Sequence, residues 1–307
     1  MMKVKFWGVR GSIPCPGPQT AKYGGNGACI ELRIGKKGRI VIIDAGSGSR
    51  ELGAHLLKND LPNGPISADL FLSHTHWDHI MGFPYFTPIY IPGTQMKVYG
   101  PVTFEEDPLE EVVGGQMTYR YFPVNFGELS SNIEYIRLQE NPSIDLGDGL
   151  KLATKFLNHP ITTLGYRFEF DGKVFCTCYD TEPFRNLFIT DPEHVDYDEA
   201  MAIEGQEVAE EQNLVLESFF EGADLLVYDA QYTEEEFIAN RIGWGHTPIE
   251  HAIEAAGRAG VKRLALFHHD PDRTDEQIDE MAKRYCRPGG DRGMEVFFAR
   301  ERSEIEL

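Results

Sequence analysis

A chain of 307 residues is longer than a typical single domain and fits one layered α/β domain carrying insertions. Its 29 Lys and Arg against 49 Asp and Glu leave a formal charge of −20. Phosphate binding rests on clustered Lys and Arg, so this balance argues against a surface that grips long nucleic acid. Five cysteines without framework-like spacing argue against a disulfide scaffold. With no leader-like N-terminus and no apolar run of membrane length, a reduced cytoplasm and no membrane contact are expected.

Val4 to Trp7 reads as a strand, broken by Gly8, Gly11 and Pro14 into a loop that runs through Pro18. A second glycine-rich turn, Tyr23 to Gly27, precedes a strand from Ala28 to Ile34. Such turns can bring backbone N–H groups close to an anion, and they also mark ordinary chain reversals. Arg39 to Ile43 is a β-branched strand, and Leu52, Leu56 and Leu57 then share one face of a helix.

The apolar run Ala68 to Leu72 leads into Ser73-His74-Thr75-His76-Trp77-Asp78-His79. On an extended strand end His74 and His76 point the same way, and the turn that follows brings Asp78 and His79 round toward them. Neutral imidazole and carboxylate suit zinc, with manganese or iron as alternatives, whereas all-oxygen sites suit magnesium or calcium.

Downstream, Met96 to Tyr99, Ile133 to Leu138 and Leu150 to Phe156 read as strands. His159 precedes Pro160, which holds it extended and fixes its direction. Taken alone, a histidine is more often structural than a ligand. Phe168 to Phe170, the turn Asp171-Gly172, and Val174 to Tyr179 give a hairpin that ends in Asp180-Thr181. Cys176 and Cys178 alternate along its second strand and read as buried thiols rather than a metal pair.

Residues 182–217 are acidic, with a weak helical pattern through Val208, Leu214 and Leu216 that could run on to Phe219; the segment reads as an inserted lid or partner surface. Ala223 to Ala230 is a buried strand with carboxylates at its end. Gly245-His246-Thr247-Pro248 then opens an amphipathic helix, with Thr247 as its N-cap and Pro248 in its first turn. That position sets His246 beside a helix N-terminus, where an anion is favoured. The strand Val261 to Phe267 ends in His268-His269; a helix from Thr274 to Tyr285 and a strand from Met294 to Phe298 follow. His55, His194 and His251 lack ligand-like surroundings.

The series His74-x-His76-x-Asp78-His79 resembles the signature of the metallo-β-lactamase fold hydrolases. Its continuation Ile80-x-Gly82-x-Pro84, and later Leu164-Gly165-Tyr166-Arg167, are similar to the ribonuclease Z branch. The resemblance implies a four-layer αββα sandwich of two mixed β-sheets, covering the chain except roughly 101–132 and 182–217. It also implies two divalent metal ions. His74, His76 and His159 would hold one; Asp78, His79 and His268 the other; Asp180 would bridge them. The family's glycine before that bridging aspartate is here Tyr179. His268 and His269 compete for the last position, and His269 could instead touch substrate. Asp44 would brace the metal loop, or else simply cap a helix. Gly245-His246-Thr247 resembles the motif with which phosphodiesterases of that branch contact the scissile phosphate.

Two adjacent cations can hold a bridging hydroxide and neutralise charge developing on phosphorus. The expected activity is therefore a phosphodiesterase for small cyclic nucleotide or cyclic phosphate diesters. Asp78 would orient the attacking oxygen, and His246 would stabilise phosphoryl oxygens or protonate the leaving alkoxide. Alternatives are a nuclease like ribonuclease Z, a hydrolase of thioesters, lactones or β-lactams, and a non-enzymatic metal or nucleotide sensor. The segment 101–132 has no arm rich in Gly, Pro and basic residues of the kind that holds transfer RNA. Many relatives are homodimers, and this sequence does not decide that point.

Overall fold

The computed structural model describes residues 1–102, 107–286 and 293–307. Part of the expected insertion at 101–132 therefore lies outside the described residues. The first sheet contains β1 (Met2–Gly8), β2 (Cys29–Ile34), β3 (Arg39–Ile43), β4 (Ser67–Phe71), β5 (Gln95–Pro101), β6 (Asn132–Leu138) and β14 (Glu304–Glu306), in the order β14-β1-β2-β3-β4-β5-β6. The second contains β7 (Asn141–Asp145), β8 (Lys151–Phe156), β9 (Leu164–Phe170), β10 (Lys173–Cys178), β11 (Leu225–Asp229), β12 (Arg263–Phe267) and β13 (Glu295–Phe298), in the order β13-β12-β11-β10-β9-β8-β7. Each sheet is mixed. In the first, β3 to β6 run parallel; in the second, β10 to β13 do.

Alternation along the strands explains the layers. In β3, Val41 and Ile43 enter a core between the sheets, while Ile40 and Ile42 enter a second core on the outer face. In β11, Leu225 and Val227 face inward, and Leu226 and Tyr228 face the outer helices. Strands buried on both faces read as continuous apolar runs, as these do. The inter-sheet core includes Phe71 stacked on Tyr99 at 4.4 Å between ring centres.

Helices α1 (Ser49–Asn59), α2 (Trp77–Ile80) and α3 (Leu109–Gly114) lie with the first sheet. On the second sheet are α4 (Glu199–Phe219), α5 (Glu234–Asn240), α6 (Ile249–Arg258) and α7 (Asp275–Tyr285). The architecture is the expected four-layer α/β sandwich. Among the described residues no helix is long and apolar enough to cross a membrane.

One expectation changes, and both segments outside the resemblance prove to contact the fold. The segment 182–217 is not wholly separate from the fold: the C-terminal end of α4 sends Leu216 into the outer core, and Glu217 pairs with Arg258 of α6 at 2.7 Å. In the other expected insertion, Leu109, Val113 and Met117 pack into the outer core of the first sheet. At α6 the N-cap is Pro248 rather than Thr247, because the Thr247 hydroxyl donates to Thr181 O at 2.6 Å.

Topology positions the site. β8 is antiparallel to β9, which is antiparallel to β10, so β8 and β10 point the same way. His159, Asp180 and His268 follow the carboxyl ends of β8, β10 and β12, and Asp229 is the last residue of β11. In the first sheet Asp44 and the His74–His79 loop follow the corresponding ends of β3 and β4. Open α/β sheets bind ligands beyond the carboxyl ends of their strands.

Candidate metal centre

The structure gathers residues from both sheets into two adjoining groups, with a third overlapping them. His74, His76, His159 and Asp180 form the first; Asp78, His79, Asp180 and His268 form the second; Asp180, Asp229, His246 and His268 form the third, and Asp180 belongs to all three. In the first group His74 Nε2 is 3.0 Å and His159 Nε2 3.1 Å from His76 Nδ1. In the second, His268 Nε2 lies 3.1 Å from Asp78 Oδ2 and 3.2 Å from Asp180 Oδ1. His79 Nε2 lies 3.2 Å from Asp78 Oδ2 and 3.3 Å from Asp180 Oδ2.

The far nitrogen of four of the rings is held, which fixes what the near nitrogen can do. His159 Nδ1 donates to Gly245 O at 2.9 Å, so the neutral ring presents a lone pair at Nε2. His74 Nδ1 lies 3.0 Å from the Ser73 hydroxyl, which itself donates to Asp44 Oδ2 at 2.8 Å. His79 Nδ1 donates to the same Asp44 oxygen at 2.8 Å, and His268 Nδ1 to Gln231 Oε1 at 3.1 Å. Asp44 is therefore a brace for the His74–His79 loop; the cap position of α1 is Gly48. Such outer contacts orient metal-binding imidazoles.

Electrostatics divides the groups. Burial holds His74, His76 and His159 below the ordinary histidine range, His159 at about 4, so these rings are neutral near pH 7. In the second group burial opposes charge, yet Asp78, Asp180 and Asp44 together outweigh it and raise His79 well above its usual value. Burial likewise opposes ionisation of Asp78 and Asp180, but the neighbouring histidines win and hold both carboxyls well below the usual range.

Both groups fit cations. Three imidazole nitrogens face one another with a carboxylate beside them, and His79 Nε2 and Asp180 Oδ1 are buried without an aligned hydrogen-bond partner. Unsatisfied polar atoms in a buried site are costly, and a divalent ion would satisfy these.

The His268–His269 ambiguity has a geometric answer. His268 adopts φ 63° and turns its ring into the second group, while His269 Nε2 donates to Ala299 O at 2.8 Å and packs against Phe298. Burial, with the Arg10 guanidinium nearby, pushes His269 down to about 3. The expectation that His269 touches substrate is therefore corrected: its ring is a buried prop on the far side of the turn. Gly11 lies against His268, where an added Cβ would sit 2.5 Å from Nδ1. Buried Arg10 ties the neighbouring loops together by donating to the carbonyls of Gly24, Asp270 and Arg273.

His246 stands next to this centre, its ring 4.9 Å from that of His268 and 5.6 Å from that of His159. Its Nδ1 donates to the fully buried Asp229 at 2.8 Å. Burial alone would lower its pKa, but Asp229 outweighs this and pushes it up to about 9. Ser73, Asp229, Gln231 and Ser12, whose N–H donates to Asp78 Oδ2 at 2.8 Å, complete the surroundings. None of the four was singled out from sequence. Asp229 carried a signal, since it ends a buried strand as Asp180 does. Tyr179, in place of the family's glycine, is buried and packs on Phe267.

Residues 23–137 match the family described as the Metallo-beta-lactamase superfamily. The chain is 27% identical over 300 residues to a Ribonuclease Z of Lactococcus lactis subsp. cremoris, covering 87% of this chain and 88% of that protein. Among solved structures it is similar to the metallo-beta-lactamase fold protein YhfI of Bacillus subtilis, with TM-score 0.65, 17% identity and full coverage of both chains. A diphosphatase from the PhnP family aligns with TM-score 0.61 and 16% identity, over 100% of this chain and 98% of that one.

Proposed function

The chain carries a metallo-β-lactamase superfamily domain, the fold of a metal-dependent hydrolase, and on that premise we propose that it is a phosphodiesterase for small cyclic nucleotide or cyclic phosphate diesters. The observation that carries this reading is the His246–Asp229 pair beside the two ligand groups. In this reading His74, His76 and His159 hold one divalent cation, Asp78, His79 and His268 hold the other, and Asp180 serves both. When bound, two such cations, zinc being favoured by the donor set, neutralise charge developing on phosphorus and make water more acidic.

The protein's own groups do the rest. Asp78, ionised and held by Ser12 N–H, orients the attacking water. His246, kept protonated by Asp229, gives its Nε2 proton to the departing alkoxide, work worth roughly 10²- to 10⁴-fold. The −20 charge disfavours a long polyanion and leaves a compact diester as the better-matched substrate.

A panel tests the proposal: 3′,5′- and 2′,3′-cyclic nucleotides, bis(4-nitrophenyl) phosphate, structured RNA, a thioester, a lactone and a β-lactam, each with added Zn²⁺ or Mn²⁺ and with chelator. Metal-dependent turnover of the cyclic diesters is expected; turnover of long RNA alone would overturn the small-substrate reading. A ribonuclease-like activity is the second reading, favoured by the similarity to Ribonuclease Z.

A further inference from the structure

A cavity of about 340 Å³ shares His159 and Gly245 with the candidate centre and is otherwise lined by Asn158, Pro160, Glu182, Phe184, Arg185, Leu187 and Gly243. Its volume suits a nucleobase or sugar-sized group. Much of its polar lining is already engaged. The two Glu182 oxygens accept from Gly243 N at 3.0 and 2.8 Å and from Gly245 N at 2.9 Å. Asn158 Nδ2 donates to Glu182 O at 3.1 Å, and His159 Nδ1 to Gly245 O. Gly245 itself has φ +83°, and an added Cβ would meet His159 Nδ1 at 2.3 Å, so this wall is held close to the ligand group.

Arg185 differs. Its side chain is 48% exposed, and among the described residues its one charged partner is Glu182, with Nε at 3.5 Å from Oε1. The outer nitrogens of the guanidinium are thus unspent donors at the mouth of a cavity walled by Pro160, Phe184 and Leu187. A planar fork of donors selects a ligand edge that offers two acceptors.

We propose that Arg185 is a specificity-determining residue, binding a two-acceptor edge on the part of the substrate remote from the scissile diester; this rests on the phosphodiesterase reading above. A guanine-type base edge, with O6 and N7, and a second phosphate share that chemistry. Adenine presents a donor at N6 and fits less well.

The experiment compares wild type, Arg185→Gln and Arg185→Lys. Turnover of diphenyl phosphate, which carries no acceptor beyond the diester itself, should be equal in all three. For the base source, kcat/KM for guanosine and inosine 3′,5′-cyclic phosphates should exceed that for the adenosine compound, and Arg185→Gln should remove at least about tenfold of it. For the phosphate source, adenosine 2′,3′-cyclic phosphate carrying a 5′-phosphate should be preferred over the same compound without it, and that preference should vanish instead. Lys should restore part of a phosphate preference and little of a base preference. Equal effects on every substrate, or none, overturn the proposal. Equilibrium binding of the same nucleotides is measured in parallel. Selective loss of binding in Arg185→Gln, in a protein that hydrolyses no diester, sustains the pocket and sinks the phosphodiesterase. Turnover of diphenyl phosphate without any Arg185-dependent discrimination does the reverse. Absence of nucleotide binding and of turnover overturns both.

Discussion

Replacing Asp229 by Asn removes one negative charge while keeping the shape of a fully buried side chain. The amide oxygen can still accept from His246 Nδ1, but it no longer stabilises an imidazolium. Burial is then opposed only by the more distant Asp180 and Asp78, and the His246 pKa should fall from about 9 toward its ordinary 6.5. At pH 8 the protonated fraction would drop by up to about 30-fold, and activity that needs that proton would drop with it. Bound cations oppose the proton in both proteins, so both alkaline limbs shift downward while their order holds. Stability follows the same sign. A raised pKa contributes stability in full below about 6.5 and loses it as pH climbs through about 9, so the pH-dependent part of the cost of Asp229→Asn, about 1–3 kcal/mol, falls at the lower pH, on top of a pH-independent loss of the N–H bonds that Asp229 accepts from Thr181, Gln231 and Thr247. The assay is kcat/KM against pH for an alkyl phosphodiester and for its 4-nitrophenyl counterpart. The nitrophenolate leaves without an acid, so only the alkyl ester should show the shifted limb. Equal losses on both esters would refute proton donation by His246.

Binding a cation at Asp78, His79 and His268 should release a proton near pH 7, because three carboxylates keep His79 protonated, whereas His74, His76 and His159 are already neutral. Metal titration in weakly buffered solution reads this directly, and pH-silent filling of both sites contradicts it. Asp44→Ala should weaken metal affinity roughly 10- to 100-fold through loss of the His79 and Ser73 contacts, measured by chelator competition. Unchanged affinity would remove Asp44 from the site's support. Gly11→Ala should displace His268, since the new Cβ would sit 2.5 Å from Nδ1. Bound metal per chain should fall from two to one without a change in far-ultraviolet circular dichroism, and retention of both ions would show that the loop yields instead.

The parts of this molecule that sequence exposed are those whose physics is local. β3 follows from its β-branched run, the β9–β10 hairpin from Asp171-Gly172, and the His74–His79 loop from ligand types crowded after an apolar strand. β7 was not anticipated: Asn141, Pro142 and Ser143 do not look like a strand, and Pro142 is tolerated because β7 is an edge strand, paired among the described residues with β8 alone. The three-residue β14 exists through its pairing with β1, a tertiary effect beyond any local pattern. α5 was missed although its start was written in Thr233 and Glu236, a reciprocal cap. The His268–His269 doublet offers two identical side chains, and the left-handed backbone at His268 decides between them. Gln231 carries no signature at all; its role arises from lying against a ring that is distant in sequence.

Asp180 sits on one half of the sandwich, the His74–His79 loop on the other, and His268 arrives only after β12. A chain emerging from the ribosome thus carries a partial chelator for most of its synthesis. Reactivity toward esters should switch on late, once the two halves have closed on each other. Stalling between β10 and β12 would leave a chain that has all of the first ligand group but lacks His268.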